Sequence, residues 1–156
     1  MFREMRRKKQ KLTEKQCIDI LKRAKTATLA LHGDDGYPYS VPVNYVYLDG
    51  KIYFHGAKEG HKADAVNRCD KVCLTVWNQG FKKEGYWEWN PTSVVVFGKV
   101  KPVTENNIFE DRLRKLAAKY YPTTDEIEEE MERSASRTQL FAIKIEHMTG
   151  KLVNEK

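Results

Sequence analysis

Residues 37–48 constrain this chain more than any other stretch. One set of alternate positions reads Tyr37, Tyr39, Val41, Val43, Tyr45, Tyr47 and the other Pro38, Ser40, Pro42, Asn44, Val46, Leu48. Strict period 2 over so many residues predicts an extended β-segment with one apolar face. Pro38 and Pro42 share the second face, and proline cannot donate to a ladder. That face is therefore an edge, a bulge, or a place where something other than a strand approaches. It is also lined by small or polar side chains, which suits close approach of a flat heteroaromatic ring with free backbone donors and acceptors beside it. An edge guarded by prolines explains the same pattern.

The rest of the chain organises around that segment. Thr13-Glu14-Lys15-Gln16 has the pattern of a capping box, and Cys17, Ile18, Ile20 and Leu21 follow on an amphipathic helix ending near Lys25. Residues 26–31 read as a strand. Asp49-Gly50 is a hairpin signal that returns residues 51–55 as the next strand. A small-residue loop at 56–60 leads to a short helix near 62–67, and residues 72–77 alternate as another strand. Residues 93–100 are apolar throughout, which predicts a strand buried on both faces. Helices are expected at 105–120 and from Thr124, a final strand at 138–146, and a short tail opening at Gly150-Lys151. Strands joined by hairpins and crossing helices predict a mainly β, six-stranded antiparallel barrel with peripheral helices.

The length of 156 residues fits one domain, residues 12–156, behind a basic flexible tail at 1–11. Six cations against Glu4 put +5 of the formal +6 into that tail. The basic balance thus belongs to a solvated end and gives the globular body no argument for nucleic acid. No membrane span or signal peptide is expected, and a cytoplasmic location follows. Cys17, Cys69 and Cys73, an odd number, suit reduced thiols. With His55 and His61, Cys69 and Cys73 lack the close pairing of a zinc site, so no metal is expected.

A second cluster carries chemistry. In His55-Gly56-Ala57-Lys58-Glu59-Gly60-His61-Lys62, two glycines, three cationic side chains and a helix N-terminus predict a phosphate cradle, although a loop with solvated lysines fits as well. The Asp49-Gly50 hairpin sets this loop beside residues 40–44, a separation that a mononucleotide spans. Phe81, Tyr86, Trp87 and Trp89 lie in the polar loop 79–92; they read as core or, the favoured reading, as an interface or lid. The acidic run Asp125, Glu126, Glu128, Glu129, Glu130, Glu132 reads as a solvated helix face.

The runs at 26–31, 36–45 and 52–57, with Gly60-His61-Lys62, resemble the pyridoxamine 5′-phosphate oxidase-related, FMN-binding split barrels, and their 5-nitroimidazole resistance branch in particular. Residues 93–100 are similar to that family's central strand, and residues 145–151 to its last strand with a C-terminal Gly-Lys. The resemblance implies a homodimer with two FMN sites at the subunit interface. Ser40, Val41, Pro42, Val43 and Asn44 would line the isoalloxazine. His55, Gly56 and Ala57 would follow the ring and ribityl chain, and Gly60, His61 and Lys62 would hold the phosphate. The oxidase branch carries an Arg and a Lys in the strand matching 40–45, where this chain has Ser, Val and Asn; that departure argues against pyridoxamine phosphate oxidation. The nitroimidazole branch has a His where His55 stands, which makes His55 the implied catalytic residue. The implied activity is FMN-dependent reduction of a small acceptor, for example a nitroaromatic of the 5-nitroimidazole kind, by a small-molecule donor such as a reduced nicotinamide. A flavin-binding or flavin-sensing protein without turnover is the alternative.

Overall fold

The computed structural model describes residues 1–154. Strands β1 (Ala27–His32), β2 (Pro38–Val43), β3 (Tyr45–Leu48), β4 (Lys51–Ala57), β5 (Lys71–Trp77), β8 (Thr92–Pro102) and β9 (Thr138–Leu152) form one antiparallel sheet in the order β2-β1-β5-β8-β9-β4-β3. A two-stranded hairpin, β6 (Phe81–Lys82) and β7 (Trp89–Asn90), stands apart. Helices α1 (Glu14–Arg23), α2 (His61–Arg68), α3 (Asn106–Ala118) and α4 (Thr124–Ser134) pack around the sheet.

The two ends of this sheet are one piece of chain. β2 and β3 are contiguous except for Asn44, yet β2 pairs with β1 and β3 pairs with β4. The strand predicted over 37–48 therefore exists from Pro38 to Leu48 as a bent one that changes partner at Asn44, with Tyr37 left outside it and exposed, and six strands curl into a split barrel. Its alternation survives the bend. Val43 and Tyr45 are buried inside the barrel with Tyr39, Val41 and Tyr47 packed on the same core, while Pro38, Ser40, Pro42 and Asn44 are exposed. The α2 helix lies against β1 and β4, beside the region where β2 has left β3.

A bend that abandons a ladder leaves backbone groups without partners. Tyr120, just past α3, supplies one. Its hydroxyl accepts from the Tyr45 N–H at 2.9 Å. It donates to the Lys25 carbonyl at 2.6 Å, with the Tyr45 carbonyl at 3.0 Å as a second acceptor. The Tyr45 hydroxyl in turn donates to the Leu21 carbonyl at 2.7 Å, and burial pushes its pKa well up. Lys119 Nζ sits 3.9 Å from the centre of the Tyr45 ring. Burial, with the charge of Lys25, draws that ammonium down to about 8. Two tyrosines thus tie α1, α3 and the bend together.

Two cores result. The barrel interior includes Leu29, Phe54, Leu74, Val96 and Phe141, closed at one end by Cys17 and Leu21 of α1. A second core forms outside, where Tyr53, Val46 and Leu140 meet Leu113, Leu116 and Met131 of α3 and α4. Local signals behave as their chemistry dictates. Thr13 and Gln16 form a reciprocal capping box, and so do Thr123 and Glu126. Asp49 and Gly50 both have positive φ, as a tight two-residue hairpin turn requires.

Three expectations change. β8 is not buried on both faces: Val94, Val96 and Val100 point inward, but Val95 is half-buried and Phe97 is exposed. Valine favours a strand on either face, so an apolar run does not by itself reveal burial. β9 runs on to Leu152 rather than ending near 146, and a bulge opposite Phe97/Gly98 absorbs one extra residue. Gly98 belongs there, because a Cβ would overlap the Lys144 carbonyl oxygen. Loop 79–92 contains the β6–β7 hairpin, whose base is held by paired hydrogen bonds between Asn78 and Thr92.

Replacing Tyr120 with Phe keeps the ring but deletes the hydroxyl that serves the bend. The expected cost is about 1–3 kcal/mol, the usual penalty for orphaning a buried backbone donor. Urea unfolding should show a lower midpoint with an unchanged slope.

Candidate functional site

The outer face of β4 is the floor of a cavity of about 580 Å³. His55, Gly56 and Ala57 line it from the strand, Asn44 from the bend, and Lys62 from the first turn of α2. Asn44 joins the other four, which are near neighbours in sequence, for a physical reason. β3 and β4 are paired up to Tyr45 and Phe54, so the chain leaves the ladder just where Asn44 comes abreast of His55. Gly56 admits Lys62: a Cβ there would stand 3.0 Å from Lys62 Cε. The ammonium then reaches across the strand, 6.0 Å from the centre of the Phe54 ring.

The opposite wall comes from elements distant in the sequence. Leu113, Leu116 and Ala117 of α3, Tyr120 and Tyr121 after it, and Met131 of α4 line the cavity, with Arg137 beyond. The apolar stripe of α3 at Phe109, Leu113 and Leu116 is readable as a helix face, but which strand it covers is a long-range fact. The lining is thus mostly apolar with a few converging polar groups, and its size suits a ring-bearing small molecule.

The electrostatics favour an anion. Burial depresses the pKa of Lys62. Burial first, and the charge of Lys62 second, hold His55 below its ordinary 6.5. Both effects favour the neutral imidazole, with one ring nitrogen a donor and the other an acceptor. An anion next to Lys62 would relieve both penalties.

The other expected site residues lie elsewhere. Val41 and Val43 turn their side chains into the barrel, so only their backbone is available outside. Ser40 and Pro42 are exposed on the outward face of β2, beyond the cavity lining. Gly60, with φ near 119°, is the N-cap of α2 and starts its turn without a side-chain cap. His61 stacks on Tyr39 with ring centres 3.8 Å apart and has Nε2 3.5 Å from the Asp34 carboxylate. Asp34 also takes Arg68 at 2.5 Å. Lys58 is occupied in donating to the Ser136 carbonyl at 2.5 Å. The structure thus gathers Asn44, His55, Gly56, Ala57 and Lys62, and leaves Ser40, Val41, Pro42, Val43, Gly60 and His61 around or behind that group. Among the described residues, no three His, Cys, Asp or Glu side chains converge as metal ligands, and no helix is long and apolar enough to cross a membrane.

Solved structures share this architecture. A proposed 5-nitroimidazole antibiotic resistance protein from Bacteroides thetaiotaomicron is 23% identical, with a TM-score of 0.76 over 91% of this chain and 86% of its own. An FAD-binding protein from Mesorhizobium loti is 21% identical, with a TM-score of 0.67 over 92% and 97%. A flavocytochrome from Azotobacter vinelandii is 18% identical, with a TM-score of 0.72 over 97% and 72%. No curated protein matches the chain. The family model described as pyridoxamine 5′-phosphate oxidase matches residues 13–152, from the N-cap of α1 to the last residue of β9. The chain belongs to the pyridoxamine 5′-phosphate oxidase family.

Proposed function

We propose that this protein is an FMN-dependent oxidoreductase that reduces a small acceptor, of the nitroaromatic kind, and works as a homodimer in the cytoplasm. The observation that carries the reading is the convergence of Asn44, His55, Gly56, Ala57 and Lys62 on one cavity with an apolar wall. Two of the structures above, an FAD-binding protein and a flavocytochrome, support the cofactor class. When bound, the flavin supplies the redox chemistry, accepting electrons from the donor and passing them on.

The chain's own residues do the rest. Lys62 offers the phosphate a charge that burial has left underneutralised, and Gly56 keeps the backbone low enough for that reach. Asn44 presents an amide at the break in the ladder, where the flavin's polar edge can find partners. Leu113, Leu116 and Met131 exclude water from the far side. His55 can carry a proton: an anion beside Lys62 would raise its pKa and with it the protonated fraction available for transfer. Trp77, Trp87 and Trp89 are more than half exposed. Rings this exposed are costly in a monomer and suit burial against a second copy, with the flavin site at the shared surface.

The purified protein should be yellow, or take up added FMN with a 1:1 endpoint in an absorbance titration. It should oxidise a reduced nicotinamide when a nitroimidazole is present. A colourless protein that ignores FMN overturns the cofactor reading; uptake without turnover against a panel of acceptors leaves a flavin-binding protein.

The Lys62→Met variant should bind FMN at least tenfold more weakly, as loss of a charge-assisted contact implies, and riboflavin about equally. Because an anion favours protonated His55, FMN affinity should rise as pH falls from about 8 to 6.5, by the sign of a pKa raised on binding. That slope should flatten in His55→Gln. Calorimetric titration across this range decides both.

Sedimentation should give twice the chain mass, and Trp87→Ser should shift the protein toward monomer while its far-ultraviolet circular dichroism stays unchanged. Monomeric wild type at micromolar concentration contradicts the dimer.

A further inference from the structure

The outer face of the sheet carries a feature that the flavin site does not use. Lys71 of β5 pairs in register with Lys99 of β8, Lys99 with Lys144 of β9, and Lys144 with Lys51 of β4. Four lysines therefore stand in one row across four neighbouring strands, spanning roughly 14 Å at the usual strand separation. Lys51, Lys71 and Lys144 are exposed and Lys99 is half-buried. Among the described residues, none of the four has a side-chain hydrogen bond or ion pair.

The fold does not need this row. Like charges directly opposite one another on neighbouring strands are destabilising. Lysines do protect sheet edges from pairing with other chains, but β5, β8, β9 and β4 are interior strands of the order β2-β1-β5-β8-β9-β4-β3. Edge protection therefore does not account for them. An external anion does.

Aromatic groups adjoin the row. Phe97 precedes Lys99 by two residues on the same face of β8 and is partly exposed. The basic N-terminal segment crosses here: Phe2 stacks on the His147 ring at 4.7 Å and lies 5.5 Å from Phe97. Arg3 follows directly. The segment then makes a turn at Lys8–Gln10 and bridges Lys11 to Lys151. Cations in a line with aromatic rings at their side are the features that hold single-stranded nucleic acid: charge for the phosphates, rings for the bases.

We propose that this face, Lys71-Lys99-Lys144-Lys51 with Phe97, Phe2 and the basic N-terminal segment, binds single-stranded nucleic acid. The proposal does not depend on the flavin reading. A competing occupant is a second copy's α4, whose Asp125, Glu129 and Glu132 are spaced to share one helix face. That pairing would leave the aromatic rings and the N-terminal cations without a role, so the nucleic acid is favoured.

The probe is a fluorescein-labelled oligothymidine 12-mer, followed by anisotropy between 50 and 200 mM salt with the full chain. Wild type should bind, with log K falling linearly against log salt. The double variant Lys99→Gln/Lys144→Gln should bind at least tenfold more weakly at the lowest salt, and its slope should shrink by about 1.4, two contacts at about 0.7 each. Its melting temperature should be equal or higher, since repulsion has been removed. Lys15→Gln/Lys83→Gln, which removes the same charge elsewhere, should bind nearly as wild type. No binding at 50 mM salt, or equal loss in both variants, overturns the proposal. So does unchanged oligonucleotide binding in the row variant with an altered sedimentation coefficient, which would assign the row to a second copy.

Discussion

The change of partner at Asn44 is the constraint on which the remaining architecture depends. A strand that continued straight would pair along its whole length with one neighbour, and its outward face would be sealed by the next strand. Here the chain serves β1 with its first half and β4 with its second. The bend draws the two ends of the sheet together at one residue and lets them part on either side. The Tyr120 hydroxyl makes this tolerable by standing in for a missing ladder partner of Tyr45. The same break leaves Asn44 and His55 side by side with free outward faces. The opening and the candidate site are therefore a single consequence of one interrupted ladder.

The sequence made the local half of this legible. Twelve residues of strict alternation set which side chains point inward, and that parity holds from Tyr39 through Tyr47 even across the bend. Asp49-Gly50 and the capping boxes at Thr13 and Thr123 act within a few residues, so their outcome is written in their neighbours. The bend itself left only an indirect mark, the prolines at 38 and 42, which say that donors are not needed on that face without saying where the strand changes partner. Long-range choices left less. The continuous valines of β8 could not show that its outer face stays partly open, because β-branched residues suit either face. Gly150 looks like a terminator of β9 in the sequence. It is instead part of the strand, beneath α1, where a Cβ would overlap Cys17 Sγ.

The candidate site divides along the same line. Residues 55–57 end β4 and Lys62 opens α2 after a short link, so their proximity follows from chain continuity. The second wall comes from α3 and α4, more than fifty residues away, and sequence spacing contains no measure of that distance. His61 shows the opposite failure. As a cation at a helix start it looked like a phosphate ligand, but Tyr39 offers its ring a stacking partner and Asp34 a carboxylate. Lys58 is likewise diverted to the carbonyl of Ser136. A cationic loop states how much charge is present. Which cation remains free depends on the acceptors that tertiary structure brings within reach.

The outer surface of the sheet illustrates that rule at larger scale. Along β4 and β9, positions on this face alternate in fate with distance from the helices. Tyr53 and Leu140 are roofed by α3 and α4 and build a second core, while Lys51 and Lys144, two and four residues away, stand outside the roof. Charge is excluded where the helices cover the sheet and concentrated where they stop. A row of like charges in the middle of a sheet opposes folding, so its presence is better explained by what approaches from outside than by what lies beneath. The β-bulge at Phe97/Gly98 sharpens the boundary. It absorbs Glu146 as the extra residue of β9, so the ladder resumes with Lys144 opposite Lys99. Without that one-residue slip, the parity of β9 would reverse and Lys144 would face the core instead of completing the row.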